Sequence, residues 1–183
     1  MPHPSTVMLS GAMVAERLEA AVPRSVQEAA EDYVVLEPAT MLDAMRVIRD
    51  DEQLDGKYLA QMCSVDLNTR IDVVYHFASL AQNHLMQVKV SADHEQPRVA
   101  SIVPLWRGAI LQEREVYDLM GVVFDGHPEL TRLFLWDKFP GHPLRKDFMG
   151  MPGGQKSGLS QFPKQVPGQT GNEFRPQDPG TGQ

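Results

Sequence analysis

A single cysteine, Cys63, stands in a chain of 183 residues, so no internal disulfide can form. The same scarcity excludes an iron–sulfur cluster held by this chain alone, because such clusters generally take four thiolate ligands. Also lacking is any uncharged apolar run near the roughly 18–20 residues that cross a bilayer. The opening MPHPSTVMLSGAMVAERLEAAVP has no basic stretch ahead of its apolar residues, which argues against a signal peptide. One thiol and no export signal point to a reducing, cytosolic compartment, with any membrane reached through a partner. Positive charge is in short supply: 17 Lys and Arg against 24 Asp and Glu give a net charge of −7. The whole deficit lies in residues 16–66, with twelve acids and five bases, while the rest of the chain balances. Such an acidic face disfavours nucleic acid, whose phosphates need positive counterparts. There is no HExxH, no GxGxxG after a strand and no internal repeat. GMPGGQKS (150–157) imitates a phosphate-binding loop, but Gln155 takes the second glycine position, Pro152 interrupts it and no strand precedes it.

What is present suits a globular core, with 42% apolar residues. GAMVAERLEAA (11–21) predicts a short helix closed by Pro23. YVVLE (33–37) predicts a strand ended by Pro38. Thr40, three residues before Asp43, resembles a capping box and opens a helix over TMLDAMRVIRDDE, with Met41, Leu42, Met45, Val47 and Ile48 as its apolar stripe. YLAQMCSVDL (58–67) reads equally as a buried strand or a short helix, and Cys63 within it as a buried, inert thiol. IDVVYHFASL and HLMQVKVSA, separated by the polar AQN, predict a hairpin whose Met86, Val88 and Val90 face the core. VASIV (99–103) reads as a further strand, and LWRGAILQEREVYDLM (105–120) has helical spacing, with Gly121 as its stop. Trp106, Ala109, Ile110, Val116, Tyr117 and Met120 fall near one face of that helix. Past Phe124 the regular pattern thins to one short strand candidate in HPELTRLFLW and a Pro/Gly loop, DKFPGHPLRKDF. Residues 150–183 hold eight Gly, five Pro and six Gln with five large apolar side chains. They cannot bury enough surface to offset roughly 1–2 kcal/mol of backbone entropy per ordered residue, so this tail is either disordered or laid along another protein. The division expected is a domain over 1–149 and an extended tail over 150–183.

The densest chemistry lies in EREVYDLMGVVFDGHP (113–128), where Glu113, Arg114, Glu115, Tyr117, Asp118, Asp125 and His127 are the residue types of a metal or acid/base site. Spacing argues otherwise. Glu113 and Glu115 are two apart on a helix and point to different faces, and Arg114 and Asp118 stand at i, i+4, so the group reads as an ion-pair network on an interface or cap. Gly-His-Pro occurs twice, at Gly126-His127-Pro128 and Gly141-His142-Pro143, and each proline presses its histidine toward extended geometry. The imidazoles are placed to cap backbone carbonyls or to pair with acids of the preceding helix, and Arg145 to clamp a carboxylate. Residues 131–148 are mildly positive, with Arg132, Lys138, Arg145 and Lys146 against Asp137 and Asp147. A rigid, charged, Gly/Pro-framed loop after a helix is a docking wedge or an ordinary solvated loop, and spacing leaves both open. A stand-alone metal-dependent hydrolase would draw on His127, His142 and Asp118, and metal analysis of the purified chain separates that reading from the others.

The blocks PLW-x-x-A-x-x-x-ERE-VYDLMGVVFDGHPELTRLFLW and GHPLRKDF, with SVD (64–66), VVYHFASL (73–80) and VASIVPLW (99–106) upstream, closely resemble the 30 kDa subunit family of respiratory complex I, NADH:quinone oxidoreductase. The resemblance covers roughly residues 55–149. It implies an α+β fold, a mostly antiparallel sheet with helices packed on it, followed by the extended tail, with a docking loop at 121–149. It implies a structural subunit with no catalytic residues, metal or cofactor of its own, in the quinone-reducing module of the peripheral arm on the cytoplasmic side of the inner membrane. Iron–sulfur clusters, FMN and quinone would belong to partner subunits. The partners implied are the hydrogenase-like large subunit and the small iron–sulfur subunit. The equivalent subunit of a ferredoxin-fed or hydrogenase-type membrane complex is the alternative. Glu113, Arg114, Glu115, Tyr117 and Asp118 would fix the helix end to the following loop, and Gly121, Gly126 and Gly141 would permit its turns. Pro128 and Pro143 would stiffen it, and His127, Arg132, His142, Arg145, Lys146 and Asp147 would orient it against a neighbour.

Overall fold

The computed structural model describes residues 5–137, 139 and 141–150. The phosphate-loop lookalike beyond Gly150, the tail 151–183 and Lys138 lie outside the described residues. In chain order the elements are β1 (Val7–Met8), α1 (Gly11–Ala21), β2 (Val26–Ala29), β3 (Tyr33–Leu36), α2 (Met41–Asp50), β4 (Tyr58–Asp66), β5 (Arg70–Ser79), β6 (His84–Asp93), β7 (Arg98–Ala100), α3 (Ala109–Met120) and β8 (Val123–Asp125), with a short 3-10 turn at Lys146–Gly150.

The class is α+β, and the sheet is mixed. Its order is β2-β3-β6-β5-β4, with β1 also paired to β6. The predicted hairpin is its centre: β5 and β6 run antiparallel from Arg70↔Asp93 to Ser79↔His84. β4 extends this antiparallel ribbon, which settles 58–67 as strand. β3 joins the other side of β6 in parallel, Tyr33↔Gln87 through Leu36↔Val90, and β1 pairs parallel with the start of the same strand. Period-2 alternation places Ile71, Val73, Tyr75 and Phe77 of β5 and Met86, Val88 and Val90 of β6 in one buried cluster with Val14 and Leu18 of α1 and Met41, Met45 and Ile48 of α2. Burying each such side chain contributes about 1.5–3 kcal/mol. Trp106 tilts against Phe77 at 4.5 Å between ring centroids, and its indole N–H donates to the Gly56 carbonyl at 3.0 Å. This locks the entry to α3 onto the sheet.

Several local expectations are corrected. Thr40 makes no capping bond. A 3-10 turn at Pro38–Thr40 leads into α2, the Thr40 hydroxyl turns back to the Glu37 carbonyl, and Asp43 pairs with Arg46 instead. β7 stops at Ala100 rather than Val103, and α3 begins at Ala109 rather than Leu105. The amides of Leu105 and Trp106 both turn back to the Ile102 carbonyl, and Pro104 has no amide to give a ladder. Cys63 is half-buried rather than buried, and burial raises its thiol pKa. No strand forms within 127–136, because amides there are engaged by a side chain of α3.

Candidate functional site

Asp118, on the last turns of α3, is fully buried and organises the loop that follows. Its Oδ1 accepts from the Arg132 guanidinium at 2.8 Å. Its Oδ2 accepts from three successive backbone amides, Leu133 at 3.0 Å, Phe134 at 2.7 Å and Leu135 at 2.9 Å. Burial works against a charged carboxylate here. The Leu135 amide, Arg132 and the Phe134 and Leu133 amides together outweigh it and hold the Asp118 pKa below its ordinary value. Three amides fill Oδ2, the guanidinium takes one side of Oδ1, and full burial keeps the carboxylate from solvent.

The chain closes on the same turn from two more directions. Arg132 also donates to the carbonyls of Phe139 at 3.1 Å and Gly141 at 3.2 Å. His142 donates through Nδ1 to the Asp118 carbonyl at 2.9 Å, sits edge-on to Tyr117, and has its pKa lowered, chiefly by burial. The Leu144 amide donates to the Leu119 carbonyl. Earlier in the loop, Arg114 donates to the carbonyls of Thr131 and Arg132 rather than pairing with Asp118. His127 bonds the Ile110 carbonyl through Nε2 and accepts the Glu129 amide at Nδ1, which occupies both ring nitrogens. Among the described residues no group of three His, Cys, Asp or Glu side chains is placed to hold a metal ion.

The five charged and aromatic residues of the helix do not act together. Glu113 points the other way, fully buried, accepting from the Ser101 hydroxyl and the Ile102 amide, each at 2.7 Å. Burial raises its pKa to about 7 against these hydrogen bonds. Glu115 is exposed, with no hydrogen bond or ion pair among the described residues.

The end of the loop is fastened to the sheet by residues that spacing alone did not single out. Asp66 of β4, nearly buried, accepts the amides of Asn68 at 2.8 Å and Lys146 at 2.9 Å and the His94 ring at 3.1 Å. Arg145 donates to the His94 carbonyl at 2.9 Å and grips both Asp147 oxygens at 3.0 Å. Lys146 thus contributes its backbone. Asp66 was visible only as part of SVD, and His94 gave no signal, because their partner lies far along the chain, eighty residues in the case of Asp66.

Among the described residues three glycines carry positive φ: Gly121 (+77°), Gly126 (+86°) and Gly141 (+98°). At Gly121, whose amide donates to the Tyr117 carbonyl, an added Cβ would stand 2.6 Å from His142 Cδ2, whereas at Gly126 it meets nothing within 4 Å. Both alanine variants are expected to lose the roughly 1–2 kcal/mol of the left-handed conformation. Gly121→Ala loses more, because it also displaces His142. Urea midpoints of the two variants test this, and equal losses would show that the His142 contact carries no weight.

The family model described as respiratory-chain NADH dehydrogenase, 30 Kd subunit, matches residues 34–152. The chain belongs to that family. Its relatives include the C subunit of the NADH-quinone oxidoreductase of Roseiflexus sp. (strain RS-1), 39% identical over 76% of this chain and 84% of the relative. The corresponding C subunit from Moorella thermoacetica is 42% identical over 67% of this chain and 84% of its own length. Among solved structures, the trypsin-resistant fragment of Nqo5 superposes with a TM-score of 0.54 at 29% identity, covering 65% of this chain and 98% of the fragment. A chain of the membrane-bound sulfane sulfur reductase, an archaeal respiratory membrane complex, shares the fold with a TM-score of 0.60 at 21% identity, covering 75% of this chain and 84% of that one. The sheet and helix arrangement is thus shared with both of these structures, and in this chain the loop after α3 is built around Asp118.

Proposed function

We propose that this chain is a structural subunit of a proton-translocating NADH:quinone oxidoreductase, bracing the peripheral arm and carrying no redox centre or catalytic residue of its own. Electron transfer from NADH to quinone belongs in this reading to partner subunits, which hold the FMN, the iron–sulfur clusters and the quinone. The partners are the hydrogenase-like large subunit with the quinone site and the small iron–sulfur subunit. The chain sits on the cytoplasmic side of the inner membrane and reaches the membrane through them. That no helix among the described residues is long and apolar enough to cross a membrane supports the last point. In this reading residues 1–149 are the domain and 121–149 its docking loop.

The observation that carries the proposal is the commitment of Asp118. This carboxylate, which a metal-dependent hydrolase would have drawn on, is bonded to four donors that shape a loop. The likeness to the sulfane sulfur reductase chain extends to the fold alone, so a co-purifying flavin subunit that binds NADH is what would fix the donor.

The test is the double variant Arg145→Ala, Asp147→Ala, which removes the clamp at the loop end. The expected result is loss of assembled complex, with whatever complex remains turning over at a near-normal rate per particle. Full assembly with abolished turnover would make the chain catalytic and end the proposal.

A further inference from the structure

The sheet has two faces, and the helices cover one of them. Buried residues of α1, α2 and α3 share a single cluster with Ile71, Val73, Tyr75 and Phe77 of β5 and Met86, Val88 and Val90 of β6. The alternate residues point the other way, and the register sets them in rows across the strands. Tyr58, Ala78, Leu85 and Met8 stand opposite one another in one row. Cys63, Val74, Lys89 and Val35 do so in another. A sheet face turned to water is ordinarily polar, and this one is not. Val35, Val74 and Ala78 are 4%, 4% and 7% exposed and lie outside the core cluster, while Tyr58 and Met8, at the two ends of their row, are 51% and 44% exposed. A contiguous apolar row on a face that no helix of the described residues packs against marks a contact with another protein.

Lys89 selects that protein. It lies on β6, the middle strand of the order β2-β3-β6-β5-β4. Its ammonium stands over the Tyr33 ring, 3.3 Å from the centroid, and the Tyr33 hydroxyl donates to Glu28. Among the described residues no carboxylate pairs with Lys89, and Asp72, the buried carboxylate of the same face, is engaged by Arg70 and Ser91. Covering the face takes water from the ammonium, which is costly unless the partner returns an opposite charge. We infer that the helix-free face of the sheet docks a different protein of the assembly, one that sets a carboxylate against Lys89 among apolar side chains. A second copy of this chain does not meet that need. A two-fold axis through the middle of the face would bring Lys89 toward its twin, and Asp72 is already committed. Nucleic acid and anionic lipid carry negative charge but call for several cations, whereas this face offers Lys89 beside Glu28 on a chain of net charge −7.

The inference rests on the reading of this chain as a subunit of a larger assembly, and the experiment separates the two. The isolated full-length chain and the assembled complex are treated with an amine-acetylating reagent, and the modification of Lys89 is followed by mass spectrometry. Acetylation is expected to be about tenfold slower or worse in the complex, the factor that a contact worth roughly 1.4 kcal/mol produces. A zero-length carbodiimide is expected to join Lys89 to an Asp or Glu of another protein in the complex. The full-length chain carrying Lys89→Glu is expected to melt as the wild type does and to enter the complex about tenfold less or worse. Lys89→Arg, which keeps the charge and the stacking on Tyr33, is expected to enter normally. If Lys89→Glu melts early, Lys89→Met is read in its place. Equal acetylation in the two preparations, or normal incorporation of Lys89→Glu, overturns the inference alone, whereas absence of the wild-type chain from the complex overturns the subunit reading with it. A cross-link from Lys89 to this chain itself or to a second copy of it assigns the face to another occupant and also overturns the inference.

Discussion

Asp118→Asn is expected to release the loop from α3 and to cost about 3–5 kcal/mol, the range for breaking a buried charge pair by removing one partner. The substitution keeps size and shape, which isolates the electrostatics. An amide has one acceptor oxygen and one donor nitrogen, and both sides of Asp118 face donors: Arg132 on one, three backbone amides on the other. Whichever way the new side-chain amide turns, its NH₂ meets N–H groups, and either the guanidinium or the amides of Leu133, Phe134 and Leu135 lose their acceptor. Hydrogen exchange should show those three amides unprotected, and urea unfolding should show the loss of stability. A loss below about 1 kcal/mol with the amides still protected would mean that the loop is held by something other than this carboxylate. The pH dependence has a definite sign. The Asp118 pKa is depressed on folding, so its contribution is present above its unfolded value of 3.8 and disappears as pH falls through the lower, folded value. The wild type should therefore lose stability in strong acid more steeply than the variant.

The periodic parts of the fold were legible in the sequence, because their pattern is local. α1 occupies the 11–21 span assigned to it, β5 and β6 pair as the hairpin, and Met86, Val88 and Val90 are buried where the alternation put them. What could not be read was set by distant partners. The parallel pairing of β3 with β6 leaves no mark in either strand, since parallel and antiparallel neighbours ask for the same β-branched residues. VASIV looked like a full strand because its residue types favour one, yet the Ile102 amide is taken by Glu113 eleven residues ahead, directly after the Ser101 amide has bonded the Asp125 carbonyl. Likewise LTRLFLW has strand composition, and Asp118 diverts three of its amides before a ladder can claim them. Within the motif, spacing separated the faces of Glu113 and Glu115 without revealing that one is buried and the other exposed. The i, i+4 rule suggested an Arg114–Asp118 pair within an ion-pair network, but a loop folded over the helix end offers each of them other partners.

Glu113→Gln should stabilise the chain at alkaline pH, in contrast to the loss expected at Asp118. Both carboxylates are buried, and what differs is their company. Asp118 has a guanidinium beside it, whereas Glu113 accepts from the Ser101 hydroxyl and the Ile102 amide, with no cation bonded to it among the described residues. Burial therefore prevails and its pKa rises to about 7 from an ordinary 4.5. The hydroxyl of Tyr75, wholly buried and without a hydrogen-bond partner among the described residues, is pushed well above its usual pKa by burial and then by the Glu113 charge. Since the folded state holds the Glu113 proton more tightly than the unfolded state, this site carries more proton in the folded chain between pH 4.5 and about 7. The contribution of Glu113 to stability therefore falls as pH rises through that window and levels off above it. At about 1.4 kcal/mol per unit, the whole window is worth on the order of 3 kcal/mol. The glutamine of the variant keeps an acceptor for the Ile102 amide and a group that can meet Ser101, and it does not ionise. Wild type and variant should therefore be close in stability near pH 4.5 and diverge up to about pH 8, with the variant ahead. Urea midpoints at the two pH values decide the matter, and parallel pH profiles for the two proteins would show that Glu113 does not keep its proton toward neutrality.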